Sequence, residues 1–259
     1  MRLQGRTALI AGGAGSMGSE IGRVFAREGA AVCIADFDLD GATAVAREID
    51  AAGDRATAVK LDVREKSQWE EAIATAEETF GHLDTLCNIA GSNFRVGFEE
   101  QTEEMWQQIL DTNVTAYFLG TKTAVTAMRR AGRGVILNMG SLASIRQGAG
   151  GPAYGVSKMG LVALTRSTAA AHARDNIRCV LISPGHVDTN FIRSDNSYSP
   201  NNWSTSIDNP DNYEKRRAAT PLGRLCTPTD VANAFLFAAS DEASMITGSM
   251  ITVDGGAGI

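Results

Sequence analysis

Short apolar runs of β character alternate with longer helical patterns from one end of the 259-residue chain to the other. The strand-like runs are Thr7–Ile10, Ala31–Asp36, Thr57–Asp62, Thr85–Ile89, Gly134–Met139, Arg178–Ile182 and Met250–Val253. Between them, segments such as WEEAIATAEETF and VANAFLFAAS place apolar residues three and four apart, the period of a half-buried helix. Strands separated by helices demand right-handed crossovers, and hence a mainly parallel sheet with helices on both faces. The expectation is an α/β fold of the Rossmann type: a doubly wound sheet of about seven strands forming a single domain over residues 1–259.

Local punctuation agrees with this rhythm. Ser67 and Glu70 form an S-x-x-E pattern that predicts a helix start, and Gly81 stands where that helix would end. Thr227 followed by Pro228 predicts a cap and a first helical turn. One segment breaks the rhythm. Residues 189–220 are rich in Asn, Ser and Asp and too long for an ordinary connection, so a functional lid after the sixth strand is expected there.

Residues 11–18 read AGGAGSMG, between the first strand-like run and a helical pattern. Such a turn lets backbone N–H groups approach a pyrophosphate at a helix N-terminus. Two spellings are present. Gly13, Gly15 and Gly18 give G-x-G-x-x-G, whereas Gly12, Ser16 and Gly18 give a wider spacing with Ser at the middle position. Asp36 ends the second strand 18 residues beyond Gly18, where a carboxylate accepts both hydroxyls of an adenosine ribose and repels a 2′-phosphate. NAD is therefore expected over NADP. The competing reading makes Asp36 a helix cap, because Asp38 and Asp40 follow closely.

The stretch GVILNMGSLASIRQGAGGPAYGVSKMGL carries the chemistry. Tyr154 and Lys158 are four apart in a helical pattern and share one face. An ammonium beside a phenol is expected to lower the phenol pKa from about 10 toward neutrality, giving a general acid–base. Ser141 lies 13 residues before Tyr154, at the end of a strand, where its hydroxyl can bond a reacting oxygen; Ser144 competes for that role.

On these residues the chain resembles the short-chain dehydrogenase/reductase family, over nearly its whole length. The motifs follow in order: AGGAGSMG, Asp36, Asp62-Val63, CNIAG (87–91), Asn113, Ser141, Tyr154-x-x-x-Lys158, SPGHVDT (183–189), PLGR (221–224) and TGSMITVDGG (247–256). The resemblance favours the wider glycine spacing. It implies a tetrad in which Tyr154 exchanges the proton, Ser141 steadies the substrate oxygen, Lys158 holds the nicotinamide ribose and Asn113 supports a water relay. It further implies cofactor contacts from Gly12, Ser16, Met17 and Gly18 at the pyrophosphate, and from Asp62 and Val63 at the adenine. Asn88, Ala90 and Gly91 would flank the cofactor, with Pro184, Gly185, Val187 and Thr189 bordering the nicotinamide. Three departures stand out: Ala11 replaces a usual Thr, Ser16 a usual Gly and Ile89 a frequent Asn. A non-glycine residue at 16 would be strained if the turn required a positive φ.

The activity implied is interconversion of an alcohol and its ketone or aldehyde with NAD. The pocket loops contain Arg95, Arg146 and Arg193, with Asn93, Gln147, His186, Asn190 and Trp203 nearby in sequence. These predict a polar substrate such as a sugar or hydroxy acid, with an anionic group the natural partner of several guanidinium groups; solvated or intersubunit arginines are the plainer reading. Enoyl reduction on the same fold resembles the chain less well, because that group spaces its Tyr and Lys more widely. A dinucleotide-binding redox sensor without turnover is a further alternative.

Bulk properties narrow the partners. With 24 Lys and Arg against 30 Asp and Glu, the net charge is −6 and there is no basic block to bind nucleic acid or an anionic membrane. The N-terminal apolar run is too short for a signal sequence or a membrane span, so a cytoplasmic location is expected. Cys33, Cys87, Cys179 and Cys226 form no Cys-x-x-Cys pair, and the three histidines are scattered, so neither disulfides nor a zinc site are expected. The family resemblance implies a homotetramer.

Overall fold

A computed structural model describes residues 1–146 and 150–259. Seven strands form one sheet: β1 (Thr7–Ala11), β2 (Ala31–Asp36), β3 (Ala56–Lys60), β4 (Thr85–Asn88), β5 (Gly134–Met139), β6 (Ile177–Pro184) and β7 (Met250–Val253). Their order is β3-β2-β1-β4-β5-β6-β7, and every pairing is parallel. The order reverses between β1 and β4. A crevice opens beyond the carboxyl ends of strands at such a switch point, and it positions the site described below.

β1, β2, β4 and β5 are buried along their whole length, as strands covered on both faces must be. The covering helices are α1 (Ser16–Arg27), α2 (Leu39–Ala51), α3 (Lys66–Phe80), α4 (Glu103–Leu110), α5 (Ala116–Ala131), α6 (Pro152–His172), α7 (Pro210–Ala218) and α8 (Pro228–Ala239). α1 packs on α8, and α3 on α5. Cys33, Cys87 and Cys179 sit within strands as free, buried thiols, and burial pushes the Cys33 and Cys179 groups up to about 12. At the amino edge of the sheet the buried Asp84 carboxylate accepts from the Thr7 amide at 3.2 Å and the Thr85 hydroxyl at 2.9 Å, and pairs with Arg133 at 3.0 Å.

The cap expected at Ser67 is corrected. The cap falls two residues earlier, at Glu65, and α3 begins at Lys66 with no side chain capping it. Its first turn serves the preceding loop instead: Gln68 Oε1 accepts from the Asp62 amide at 2.7 Å, and the buried Trp69 indole donates to the Val63 carbonyl at 2.7 Å. Gly81 does close the helix, in the left-handed region at φ 91°. Thr227 caps α8 reciprocally with Asp230, and Pro228 opens its first turn.

Between α4 and α5 a π-helical turn, Asp111–Thr115, inserts one extra residue into the helical ladder. Nothing in the apolar spacing announced it. The 189–220 segment is likewise more ordered than its composition suggests. A 3-10 turn, Asn190–Ile192, is followed by a loop stitched by its own amides, and then by α7. Asn201 Nδ2 alone donates to the carbonyls of Phe191, Ser194 and Ser199. Asn209 caps α7, Pro210 opens it, and Lys215, Arg216 and Arg217 fill its last turn, a legible start and stop pattern that periodicity alone passes over.

Candidate active site

A cleft of about 2080 Å³ runs along the carboxyl edge of the sheet, from the glycine turn after β1 to the loops after β5 and β6. Both glycine spellings meet close backbone in the turn. Gly12 has φ 88°, and a Cβ there would fall 2.6 Å from the Ala90 nitrogen; at Gly18, common to both spellings, a Cβ would meet the Gly12 carbonyl oxygen at 2.1 Å. At Gly13 a Cβ would lie 2.9 Å from the Ile10 carbonyl oxygen, whereas Gly15, the middle position of G-x-G-x-x-G, has no neighbour closer than 3.6 Å. Backbone closeness thus demands glycine at 12, 13 and 18 and not at 15. Ser16 is the first residue of α1 and does not have a positive φ, so the strain considered for a side chain at that position does not arise. Ala11 ties the turn to the loop after β4 through its carbonyl, which accepts from the amides of Ile89 at 2.9 Å and Ala90 at 3.0 Å.

α1 starts without any side-chain cap, leaving its first amides directed at the cleft beside Gly12, Ser16, Met17 and Gly18. Asp36 is buried at the end of β2 and accepts from the amides of Ala14 at 3.0 Å and Asp38 at 3.1 Å. Burial pushes its carboxyl above the ordinary value, and the two amides work against that shift. It does not cap α2; Asp38 does, accepting from the Gly41 amide at 3.0 Å. Asp62 and Val63 line the same end of the cleft, and the Asp62 carboxylate holds Arg64 at 2.6 Å, which keeps its pKa below the usual range.

At the other end Ala90, Gly91, Ser141, Tyr154, Lys158, Pro184, Gly185, His186, Val187 and Thr189 line the walls. Ser141 caps the short turn after β5 and its hydroxyl bonds the Tyr154 phenol oxygen. Ser144 does not compete with it. Its buried hydroxyl accepts from the Ser141 amide at 3.2 Å and donates to the Lys158 carbonyl at 3.0 Å, bracing the serine against α6. Lys158 Nζ is buried, donates to the Met139 carbonyl at 2.8 Å and lies 5.6 Å from the ring centroids of both Tyr154 and Tyr117.

The expected depression of the Tyr154 pKa is corrected. Burial pushes the phenol above 10, while the Ser141 hydrogen bond and the nearby Arg95 charge pull it back. Lys158 is itself pushed down to about 7 by burial, so it carries only part of a charge at neutral pH. Asn113, in the π-helical turn, is fully buried behind the cleft. Its Oδ1 accepts from the Ser92 amide at 2.7 Å, and its Nδ2 donates to the Ser92 carbonyl and the Ser157 hydroxyl, each at 3.0 Å. A Cβ on Gly91 would lie 3.5 Å from that Oδ1 and 3.9 Å from Lys158 Nζ, so the three positions converge. Asn88 is also behind the wall, donating to Asn138 Oδ1 at 2.9 Å.

The arginines sort differently from their order in the sequence. Arg95 lines the cleft. Arg193 is turned away into ion pairs with Asp188 at 2.7 Å and with Asp208, which push its pKa up. Arg146 donates to the Ala257 carbonyl at 2.8 Å, outside the cleft wall. Trp203 is 66% exposed on the outer side of the 189–220 segment. Gln147 lies outside the described residues. In place of Arg146, Arg193 and Trp203, the cleft is walled by Arg216 and Lys215 of α7 and by Phe191 and Tyr198 of the preceding loop. Phe191 and Tyr198 lie in a loop with no period to reveal them, and Lys215 and Arg216 belong to α7, whose place against the cleft the sequence does not show.

A family model described as enoyl-(acyl carrier protein) reductase matches residues 12–258. The chain is 38% identical over 255 residues to a 2,5-dichloro-2,5-cyclohexadiene-1,4-diol dehydrogenase of Sphingobium indicum, covering 98% of this chain and 97% of that protein. It is 36% identical to a 3-alpha-(or 20-beta)-hydroxysteroid dehydrogenase of Mycobacterium tuberculosis, covering 98% and 90%. It is 33% identical to 3beta-hydroxysteroid dehydrogenase 2 of Eggerthella lenta, covering 98% and 95%. With its sheet order, glycine turn and Tyr-x-x-x-Lys helix, the chain belongs to the short-chain dehydrogenase/reductase family of oxidoreductases.

Proposed function

We propose that this protein is an NAD-dependent dehydrogenase interconverting a secondary or primary alcohol with its ketone or aldehyde, on a polar substrate of the sugar or hydroxy-acid kind. The observation that carries this reading is that Ser141, Tyr154 and Lys158 wall the same cleft as the glycine turn and Asp36. The residues fit a dinucleotide: Gly12 and Gly18 let the turn close tightly on Ala90 and on itself, where a Cβ would collide, and α1 begins beside it with amides that no side chain caps.

Gly12, Ser16, Met17 and Gly18 would hold the pyrophosphate, Asp36 the adenosine ribose, and Asp62 and Val63 the adenine. Ala90 and Gly91 would flank the cofactor with Asn88 bracing them from behind, and Pro184, Gly185, Val187 and Thr189 would border the nicotinamide, which when bound exchanges a hydride with the carbinol carbon. Ser141 holds the substrate oxygen, and Tyr154 gives or takes its proton. Raised by burial, the phenol stays protonated at neutral pH and is ready to act as an acid; the Ser141 bond and the Arg95 charge favour the reverse transfer. Lys158 would bond the nicotinamide ribose, and Asn113 fixes the geometry behind both.

NAD is favoured because Asp36 would repel a 2′-phosphate, and because Arg64, the cation nearest the adenine end, is neutralised by Asp62. For assembly we favour a homotetramer, with the exposed Phe118 of α5 and Val156 of α6 as apolar surface for its helix contacts. The deciding experiment is reduction of NAD, with NADP in parallel, across sugars, polyols, hydroxy acids and hydrophobic alcohols, plus NADH oxidation by an enoyl thioester. The reading expects alcohol turnover with NAD favoured about tenfold or more, a difference of about 1.4 kcal/mol, and none with the enoyl thioester. Equal or better use of NADP would overturn the role given to Asp36. Tight NADH binding without any turnover would favour a redox sensor.

A further inference from the structure

Among the described residues, two guanidinium groups in the cleft, Arg95 and Arg216, meet no carboxylate. Arg95 donates to the Phe191 carbonyl and the Ser199 hydroxyl, each at 2.7 Å, and its guanidinium stacks 5.1 Å from the Phe191 ring centroid. Arg216 donates to the carbonyls of Asn212 at 3.3 Å and Thr205 at 3.1 Å. All of these partners are neutral. Among the described residues neither group meets a carboxylate, whereas Arg193 and Arg217, in the same segment, are both ion-paired.

A guanidinium taken out of water without an anion is unfavourable. Burial lowers Arg95 to about 10 and Arg216 in the same direction, and Arg216 depresses both Arg95 and His186 by repulsion. The carboxylates that line the cleft, Asp36, Asp38 and Asp62, all lie at the adenosine end. Among the described residues the remaining titratable side chains at the cleft are basic or phenolic, including Arg95, whose charge acts on Tyr154, Lys158 beside the Tyr154 ring, Tyr117 interacting with Tyr154, and Arg216, Lys215 and His186.

A second observation is independent of charge. Arg95 adopts φ 54°, one of only two positive values among the described non-glycine residues. Such a backbone is unfavourable and persists only where its surroundings impose it; here the Asn93 carbonyl oxygen of the side chain accepts from the Arg95 amide at 3.0 Å and holds the turn. The chain thus maintains a strained residue to bring a cation into the cleft.

We propose that Arg95 and Arg216 form an oxyanion subsite, and that the substrate is an alcohol bearing a carboxylate, sulfonate or phosphate group. The proposal rests on the dehydrogenase reading for the position of the reacting carbinol, at Tyr154 and Ser141, but the subsite itself is defined by the two arginines. A planar guanidinium bonds such groups through paired N–H donors, and the second cation neutralises the remaining charge. The anion would anchor one end of the substrate while the carbinol lies at the tyrosine.

The test is binding of succinate, methanesulfonate and inorganic phosphate to the NADH-loaded protein, by calorimetry at constant ionic strength, alongside turnover of 3-hydroxybutyrate and its methyl ester. Saturable binding that weakens about tenfold or more in Arg216→Gln, and recovers in Arg216→Lys, supports the subsite; the preferred anion identifies the group. A kcat/KM for the acid that falls in Arg216→Gln while that for the ester holds supports it too. Equal binding in wild type and Arg216→Gln, or saturation by none of the three anions, overturns it. Oxyanion binding that depends on Arg216 without turnover of any alcohol would leave the subsite standing and contradict the dehydrogenase reading.

Discussion

At Gly12 a methyl group would collide with the backbone of Ala90, and at Gly18 with the Gly12 carbonyl, while Gly15 has room for one. Gly12→Ala and Gly18→Ala are therefore expected to cost about 1–3 kcal/mol in urea unfolding and to weaken NADH binding about tenfold or more, with Gly15→Ala within about 0.5 kcal/mol of wild type. Equal effects at all three would contradict the assigned spacing. Lys158 makes a second prediction. Its folded value of about 7 lies below the 10.5 of the exposed side chain, so between these values the unfolded chain binds more protons and stability rises with pH. The penalty for the buried charge is complete below about pH 7 and relieved as pH climbs toward 10.5. Lys158→Met should gain most over wild type at pH 6, and the gap should shrink by a few kcal/mol by pH 10. A gap that does not change with pH would remove the desolvation account.

At the scale of elements, the 189–220 segment is held over the cleft by a few identifiable bonds. Arg95 grips the Phe191–Ser199 stretch; the amide of Asn93 and the hydroxyl of Ser92 both donate to the Tyr198 carbonyl at 2.9 Å; the Asn190 amide reaches Ser16 Oγ at 3.4 Å. Tyr198 packs against Phe37 beyond β2, so one loop spans both ends of the cleft. Charge-assisted bonds contribute about 1.5–3 kcal/mol each. Arg95→Ala should raise amide exchange at residues 191–201 about tenfold or more, with β1 and β5 unaffected; unchanged exchange there would show that Arg95 does not hold the loop.

The central strands were legible to within a residue or two because burial on both faces leaves continuous apolar runs, while the edge strands β3 and β7 are only partly buried. The 189–220 segment was legible only as a break in the strand–helix rhythm, since much of its order comes from side-chain amides that bond neighbouring backbone and leave no periodic trace. That Ser141, Tyr154 and Lys158 come together was legible, but their electrostatics were not: a four-residue spacing shows that two groups share a helix face, not how deeply both are buried. Nor does it separate Arg95 from Arg193, because whether an arginine faces the cleft depends on a distant partner such as Asp208.

For the whole molecule, the sheet reverses order between β1 and β4, and that reversal brings a phosphate-type cradle and a Tyr-Ser-Lys group onto one cleft. On the proposed reading this cleft performs proton-coupled alcohol oxidation with Tyr154 as the acid–base. The most direct test is Tyr154→Phe, measuring NADH affinity by fluorescence beside kcat for the best alcohol found with NAD. The expected result is NADH binding within about threefold of wild type and a kcat lower by about a hundredfold or more. Turnover that survives the substitution would contradict it, because some other group would then be moving the proton.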